Sequence, residues 1–290
     1  MLSEHEIQEI IGRVKGRMAA ADDAVHPGRA LQAGDALRSG GVESEPQLGD
    51  GIHATVDAAV AASRRAFLSY RELGLDARKA IVEAMRGAMM RDGERLAYLA
   101  REETGLGRAE DKVVKNRLVT MLTPGPEDLE PHAVTGDHGM MVTEYAPYGV
   151  IGAITPTTNP TSTIINNSIA ILSAGNAAVF NVHPNAKRTS AENVRVLNRA
   201  IVGAGGPLDL VTAVAEPTLE SAKALMVHPD VPVLLVTGGP GVVQEALRTP
   251  KKSITAGPGN PPAVVDTTAD IEKAGRDIVR GASFDNNVIC

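Results

Sequence analysis

An alternation of apolar runs and helical segments after Gly149 constrains the fold of this chain more than any other feature. Short runs of Val, Ile, Leu and Ala are typical of strands buried on both faces of a sheet. They lie at residues 150–154, 177–182, 210–214, 233–236 and 263–265. Repeats of strand, helix and strand predict an α/β fold with a mostly parallel sheet, helices on both faces and ligand sites at the carboxyl ends of the strands.

The segments around these runs carry helix signals. Thr189 and Glu192 have the spacing of a capping box, the helix after them should end at the two glycines at 205–206, and Pro217 opens another helix. Residues 52–121 carry apolar stripes at helical spacing and are predicted to form helices that pack on the sheet.

Two further segments precede the sheet. Residues 1–18 have the apolar spacing of a short amphipathic helix, and residues 19–51, rich in Gly, Ala, Asp and Ser, are predicted to form a flexible linker. A terminal helix most often docks on its own domain, but the linker favours a groove on a partner. Residues 140–145 are a predicted strand, joined by a turn at 147–149 to residues 150–155 as a hairpin or a crossover.

Composition excludes several classes of protein. The chain has 29 basic and 35 acidic residues with no basic cluster, and 2% aromatics, which argues against nucleic-acid binding. No apolar stretch is long enough to span a membrane, and acidic residues near the N-terminus argue against a signal or transit peptide. The single cysteine forms no internal disulfide, so we expect a cytoplasmic protein.

Asn159 is a candidate oxyanion donor. It follows the strand at 150–154 and Thr155, Pro156, Thr157 and Thr158, and its amide would have little freedom to move. From spacing alone, a role as the N-cap of the next helix is favoured.

Three other positions are open to a functional or a structural interpretation. Residues 237–241 include Gly238, and glycines there would let backbone amides approach a phosphate, but the G-x-G-x-x-G pattern is absent and a plain strand-to-helix turn is equally compatible. Residues 256–262 form a rigid loop of glycines and prolines. The lone Cys290 is, by residue type, more often a core residue than a nucleophile.

At these positions the sequence resembles the aldehyde dehydrogenase superfamily, specifically its CoA-acylating members from bacterial microcompartments, which oxidise propionaldehyde or acetaldehyde. The resemblance is most specific in five ordered segments, at residues 148–160, 175–184, 236–241, 254–266 and 281–290. It implies a Rossmann-type cofactor-binding domain over residues 52–281, and the start of a catalytic domain over residues 282–290.

The resemblance also implies roles for single residues. Cys290 stands where the family has its nucleophile, and Asn159 where it has the oxyanion amide. The implied cofactor is NAD, with CoA as cosubstrate and no metal. The implied cofactor-binding residues are Thr155, Pro156, His183, Thr237, Gly238 and Gly257. Where hydrolytic relatives have a ribose-contacting Lys, this chain has Asn181.

The implied thioester on Cys290 has two fates. Hydrolytic relatives use a Glu as general base, at a position where this chain has Thr255. Without that carboxylate to activate water, we expect the thioester to persist until the thiol of CoA attacks it.

Family members continue well beyond their nucleophile, so we expect this chain to be an incomplete, inactive fragment of an active homo-oligomer. Residues 1–18 resemble encapsulation peptides, which implies a shell-protein partner and a place inside a bacterial microcompartment. Two alternatives stay open. One is the aldehyde half of a bifunctional aldehyde-alcohol dehydrogenase, and the other is a non-catalytic microcompartment cargo or assembly protein.

Overall fold

The computed structural model describes residues 48–259 and 261–288. Its strands are β1 (Ile52–His53), β2 (His132–Gly136), β3 (Gly139–Thr143), β4 (Val150–Ile154), β5 (Ala177–Asn181), β6 (Val211–Val214), β7 (Val233–Thr237) and β8 (Lys252–Ala256). Six of them form one parallel sheet in the order β1-β6-β5-β4-β7-β8, and β2 pairs with β3 in a separate antiparallel hairpin. The predicted α/β fold is confirmed.

The helices are α1 (Val56–Arg71), α2 (Leu75–Thr104), α3 (Ala109–Leu122), α4 (Pro160–Ser173), α5 (Lys187–Gly203), α6 (Leu219–Val227), α7 (Pro240–Arg248) and α8 (Ile271–Ser283). Several ends follow from local chemistry. The Thr55 hydroxyl accepts the Ala58 amide to begin α1, and α2 ends at Gly105 with a φ of +69°.

Helices cover both faces of the sheet. One core layer joins α2, α4 and α5 to residues of β4 and β5, with Phe180 among its fully buried side chains. The other joins α1, α6 and α7 to the opposite face. Gly152 in β4 makes close packing possible there, because a Cβ would lie 2.9 Å from a methyl group of Val231.

The order of the strands creates a crevice. The chain runs from β4 to β5 and β6 on one side, and then crosses to β7, which pairs with the other side of β4. Loops after β4 and β7 therefore diverge at the carboxyl ends of these neighbouring strands, which is where open α/β sheets bind their ligands.

The predicted strand at 263–265 is wrong, and the strand at this edge is β8. Pro261 and Pro262 lack the N–H donors that a strand needs, and the Val264 side chain is 92% exposed. β8 begins with a lysine and lies at the edge of the sheet. Its positions alternate between exposed and half-buried, because successive side chains point to opposite faces and only one face is partly covered. An edge strand of this kind lacks the continuous apolar run expected of a buried one.

The predicted capping box at Thr189 and Glu192 is also wrong. α5 begins two residues earlier, at Lys187, so Thr189 lies inside its first turn. The carboxylate of Glu103, near the end of α2, instead accepts the backbone amides of Arg188 at 2.8 Å and Thr189 at 2.7 Å. A neighbouring helix thus supplies the cap. The glycine stop after α5 is confirmed, since Gly205 has a φ of +82°.

The hairpin differs from the predicted one. Residues 139–143 pair with β2, which the sequence analysis did not identify, while β4 joins the parallel sheet. β1 was likewise missed, because two residues are too few for a periodic pattern.

The predicted targeting helix at 1–18 and most of the linker at 19–51 lie outside the described residues. Residues 48–51 are described, and they include a turn closed by a bridge between Gly49 and Ile52. None of the helices in the described part of the chain combines the length and apolarity needed to cross a membrane.

Candidate active site

A cavity of about 720 Å³ opens at the carboxyl ends of β4, β5 and β7. The starts of α4, α6 and α7, the loop at 257–259 and residues 287–288 complete its wall. This is the crevice that the strand order predicts.

The structure brings nearly all of the predicted site residues together. Those that line the cavity are Asn159, Thr155, Pro156, His183, Thr237, Gly238 and Gly257. Cys290 lies outside the described residues, but Val288, two positions earlier, also lines the cavity.

The Asn159 side chain does not act as a helix cap. It occupies the N-cap position of α4 but makes no capping hydrogen bond. Its Nδ2 instead donates to Thr158 Oγ1 at 3.2 Å and to the Val288 carbonyl at 3.3 Å, and its Oδ1 accepts a hydrogen bond from Lys115 Nζ. The amide donor is therefore directed toward the segment that leads to Cys290.

Two buried hydroxyls beside Asn159 fit a bound polar ligand. Thr155 Oγ1 and Thr157 Oγ1 have no hydrogen-bond partner among the described residues. An unpaired buried hydroxyl costs about 1–3 kcal/mol, which a ligand that supplies polar atoms would recover. Both threonines line the cavity, so this cost is consistent with a binding site.

The start of α7 suits a pyrophosphate. Gly239 is its N-cap, and apart from its immediate neighbours in the chain no described atom lies within 4 Å of the position that a Gly239 Cβ would occupy. Free amides at a helix N-terminus attract anions, and the open space lets a phosphate approach them. Together with the unpaired hydroxyls, this geometry fits a nicotinamide dinucleotide.

His183 presents a neutral imidazole to the cavity. Its Nδ1 accepts the Asn185 amide at 3.1 Å, which places the ring proton on Nε2. Burial lowers the pKa of His183.

Both polar atoms of the Asn181 side chain are hydrogen-bonded to the protein. Its Oδ1 accepts Ser221 Oγ at 2.5 Å, and its Nδ2 donates to the Thr218 carbonyl at 3.3 Å. It therefore holds the start of α6 against the end of β5.

A buried ionic cluster of Lys112, Lys115 and Asp285 lies beside the cavity, and the sequence analysis missed it. Lys112 Nζ donates to Asp285 Oδ2 at 3.1 Å and to the Thr158 carbonyl at 3.2 Å, and Lys115 Nζ contacts the same carboxylate oxygen. Asp285 is fully buried. No signal in the sequence pointed to it, because α3 buries both lysines and exposes Val114, the reverse of what their residue types predict.

Opposing effects set the pKa of Asp285. Burial alone would raise it, but hydrogen bonds from Lys115 and from the Arg108 amide, the latter at 2.6 Å, leave the pKa below its ordinary value. Burial is also the main reason why the pKa of Lys115 is lowered, although Asp285 opposes this effect. Asp285 has a φ of +50°, the first of three successive left-handed residues.

The cavity wall carries no formal charge. Within the described part of the chain, none of its lining residues is Asp, Glu, Lys or Arg. The same part contains no cluster of three or more His, Cys, Asp or Glu side chains that could hold a metal ion.

Comparisons with known proteins point to one family. The aldehyde dehydrogenase family matches residues 47–290. The propanal dehydrogenase (CoA-propanoylating) of Salmonella typhimurium is 47% identical over 246 residues, which cover 85% of this chain and 53% of that protein. The chain thus spans about half the length of the curated relatives it matches.

Two solved structures have the same fold. The propionaldehyde dehydrogenase from the Clostridium phytofermentans fucose utilisation bacterial microcompartment has a TM-score of 0.81 at 45% identity, over 83% of this chain and 56% of that one. The Rhodopseudomonas palustris propionaldehyde dehydrogenase, with bound CoA and an acylated cysteine, has a TM-score of 0.81 at 48% identity, over 83% and 55%.

Proposed function

The chain belongs to the aldehyde dehydrogenase family, and from that membership we propose that the protein carrying it is a CoA-acylating, NAD-dependent aldehyde dehydrogenase. Its substrates are a short aldehyde, propionaldehyde or acetaldehyde, with CoA and NAD, and its products are the acyl-CoA and NADH. The observation that carries the proposal is the Asn159 amide, which donates to the Val288 carbonyl two residues before Cys290 in an uncharged cavity.

In this reaction the Cys290 thiolate attacks the aldehyde carbon and forms a C–S bond. The carbonyl oxygen of the aldehyde gains negative charge. The Asn159 Nδ2–H then donates to this oxygen instead of donating to the Val288 carbonyl. The tetrahedral adduct then releases its hydride and collapses to a thioester on Cys290. A bound nicotinamide cofactor would accept that hydride.

The second half of the reaction uses a thiol. The CoA thiolate attacks the thioester carbon, Asn159 again stabilises the oxyanion, and the Cys290 thiolate leaves as the acyl-CoA forms. Water competes poorly, because no Asp or Glu lines the described part of the cavity to act as its general base. The relative that carries an acylated cysteine together with CoA supports this order of events.

The proposed cofactor is NAD rather than NADP. A 2′-phosphate is normally held by an arginine or another cation. The described wall has neither Lys nor Arg, and burial favours neutral His183. Thr155, Pro156, His183, Thr237, Gly238 and Gly257 would line the bound dinucleotide.

Steady-state kinetics on the whole protein test this proposal. We expect NADH formation at 340 nm to require aldehyde and CoA together, with acyl-CoA as the product and with a clear preference for NAD over NADP. Cys290→Ser should abolish turnover. Release of free acid without CoA, or full activity in Cys290→Ser, would overturn the proposal.

We also propose that residues 1–18 bind a microcompartment shell protein, that residues 52–281 form the cofactor-binding domain and that residues 282–290 begin the catalytic domain. The microcompartment origin of a similar solved structure supports the first of these. Deleting residues 1–18 should abolish co-purification with shells and leave activity intact. Unchanged co-purification would contradict this role.

The protein is further proposed to act as a homo-oligomer. The hairpin of β2 and β3 is exposed at every position and carries apolar side chains, including Val134 and Met141, on its surface. Apolar surface of this kind favours association with another copy.

A further inference from the structure

Lys115 contacts the oxyanion amide from outside the cavity. Its side chain is buried on α3 and does not line the cavity, yet its Nζ donates to Asn159 Oδ1 and also contacts the Asp285 carboxylate. Lys115 is therefore placed to act on the reaction through Asn159 without touching the substrate.

The first effect of this contact is on the orientation of the amide. An ammonium group only donates hydrogen bonds, so the Asn159 atom that faces it must be the oxygen. The Nδ2 donor is then left to face Thr158 Oγ1 and the Val288 carbonyl. Rotation of the amide by 180° would present an acceptor to the developing oxyanion, which repels it.

The second effect is electrostatic. A cation hydrogen-bonded to the amide oxygen draws electron density from the N–H bonds and strengthens them as donors. The burial of Lys115 makes this effect larger than it would be in water. Burial lowers the pKa of Lys115, but the hydrogen bond to Asp285 and the nearby charge of Asp111 oppose this effect and favour the charged form.

Lys112 provides an internal comparison. It is buried in the same cluster and donates to the same carboxylate oxygen of Asp285, but its other contact is the Thr158 carbonyl rather than Asn159. The two lysines thus share a structural role and differ in their contact with the amide.

We propose that Lys115 is a positioning residue, which fixes the Asn159 amide with its N–H groups toward the reacting carbonyl and polarises it as an oxyanion donor. This inference rests on the proposed function, because it assigns Lys115 a part in the same acyl-transfer chemistry.

Acylation of Cys290 by propionyl-CoA is the kinetic readout, measured in the whole protein by rapid quench and intact mass. Asn159→Ala should slow it by about 10²–10³-fold, the usual effect of removing an oxyanion donor. Lys115→Met should slow it by more than about 10-fold, and Lys112→Met by less than about 3-fold, although both should lower the urea midpoint by similar amounts.

The double variant separates a positioning role from a structural one. If Lys115 acts through Asn159, Lys115→Met should have almost no further effect in the Asn159→Ala background. Additive losses, or equal losses in Lys115→Met and Lys112→Met, would overturn the proposal.

A second readout is independent of the reaction. In a protein labelled with [15N]asparagine, the Asn159 side-chain amide signals are identified by their loss in Asn159→Ala. These signals should shift and exchange faster with solvent in Lys115→Met but not in Lys112→Met. Unchanged signals in Lys115→Met would overturn the positioning role, whereas wild-type protein that propionyl-CoA does not acylate would contradict only the proposed function.

Discussion

At the scale of single residues, Lys112, Lys115 and Asp285 place three charged groups in the protein interior. Removing an ion from water costs several kcal/mol, which attraction offsets only where hydrogen bonds satisfy each group. The Asp285 carboxylate accepts hydrogen bonds from both ammonium groups and from the Arg108 amide. The backbone N–H of Asp285 donates to the Asp111 carboxylate at 2.8 Å. The cluster therefore holds the segment before Cys290 in one geometry against α3.

Gly107 permits this arrangement. Its φ is +69°, and a Cβ there would lie 2.0 Å from Asp285 Oδ1. We expect Gly107→Ala to lose about 1–3 kcal/mol of stability from backbone strain and to displace Asp285 from the cluster. Hydrogen exchange measured by mass spectrometry should therefore increase over residues 284–288.

Gly105→Ala is the matched control, because Gly105 has the same φ of +69° but its nearest neighbour to a Cβ is Arg101 Nη1 at 3.9 Å. This variant should have the same backbone strain, but hydrogen exchange over residues 284–288 should stay as slow as in the wild type. Equal exchange in the two variants would contradict the steric argument.

Tyr70 gives the protein a sensitivity to alkaline pH. Its hydroxyl donates to the Leu172 carbonyl at 3.0 Å, and burial raises the pKa of Tyr70 to about 12 from the ordinary tyrosine value of about 10. Because the folded pKa is the higher one, the stabilisation is complete below pH 10 and is lost as the pH rises toward 12. The loss amounts to about 2–3 kcal/mol.

Tyr70→Phe lacks this titration. It should be about 1 kcal/mol less stable than wild type near neutral pH, because the Leu172 carbonyl loses its partner. Since only the wild type loses about 2–3 kcal/mol at alkaline pH, the two stability curves should cross between pH 10 and 12, which leaves the variant the more stable protein above the crossing. Urea unfolding followed by circular dichroism at each pH measures this. Stability curves that stay parallel across the window would contradict it.

The sequence singled out Asn159 as a candidate but not Lys115, which donates a hydrogen bond to its amide oxygen. An amide between prolines after a buried strand is conspicuous, and the family resemblance assigns its role. A lysine is by default exposed, so nothing in the residue type of Lys112 or Lys115 indicates burial. Their partner Asp285 lies 170 or more positions away, beyond the reach of any local pattern.

At the scale of elements, helix α5 depends on its neighbour for its first turn. Glu103 on α2 accepts two of its amides with both carboxylate oxygens. This tie joins the end of one helix to the start of another on the same face of the sheet. A cap supplied from 85 positions away is invisible to the local spacing rule that pointed to Thr189.

Glu103→Gln should destabilise the protein by about 1 kcal/mol, because the amide keeps a single acceptor oxygen and loses the charge that favours a helix N-terminus. Glu102→Gln is the control, since Glu102 makes only an exposed ion pair with Arg188 at 3.8 Å. The measurement is the free energy of unfolding in urea. Equal losses in the two variants would exclude the cap.

Strand prediction succeeded where both faces of a strand are covered. β4, β5 and β6 are buried throughout and β7 largely so, and all four appear as apolar runs. β8 and β1 lie at the two edges of the sheet, where a strand is either half-exposed or very short, and there the pattern fails. An apolar run indicates a buried segment. It therefore predicts a strand only where the strand is buried.

At the scale of the whole molecule, the rhythm of the chain predicted a mostly parallel sheet with ligand sites at the carboxyl ends of its strands, and the cavity lies at those ends. Which apolar side chains lie on the surface could not be predicted, because an exposed apolar residue looks the same in the sequence as a buried one. Met140, Met141 and Val142 form an apolar segment on β3, and all of them are exposed.

The proposed oligomer should depend on this hairpin. Val134 and Met141 are directly opposite each other across β2 and β3. Replacing both with lysine would place two like charges on the surface that we expect to be covered, and should shift the molar mass in sedimentation velocity to that of a monomer.

Leu247→Lys, on the exposed side of α7, is the control and should leave the assembly intact. If the assembly of the hairpin variant has the same molar mass as that of the wild type, the interface between copies does not include the hairpin.

The contact between Lys112 and Asp285 spans 173 positions of the chain, which has a consequence for synthesis. At typical translation rates the ribosome needs roughly 10 to 30 s to add that many residues. Throughout this interval α3 carries two ammonium groups without their counter-ion, and they must remain hydrated. The nascent polypeptide can therefore complete the surroundings of the Asn159 amide only when the segment just before Cys290, the proposed nucleophile, emerges.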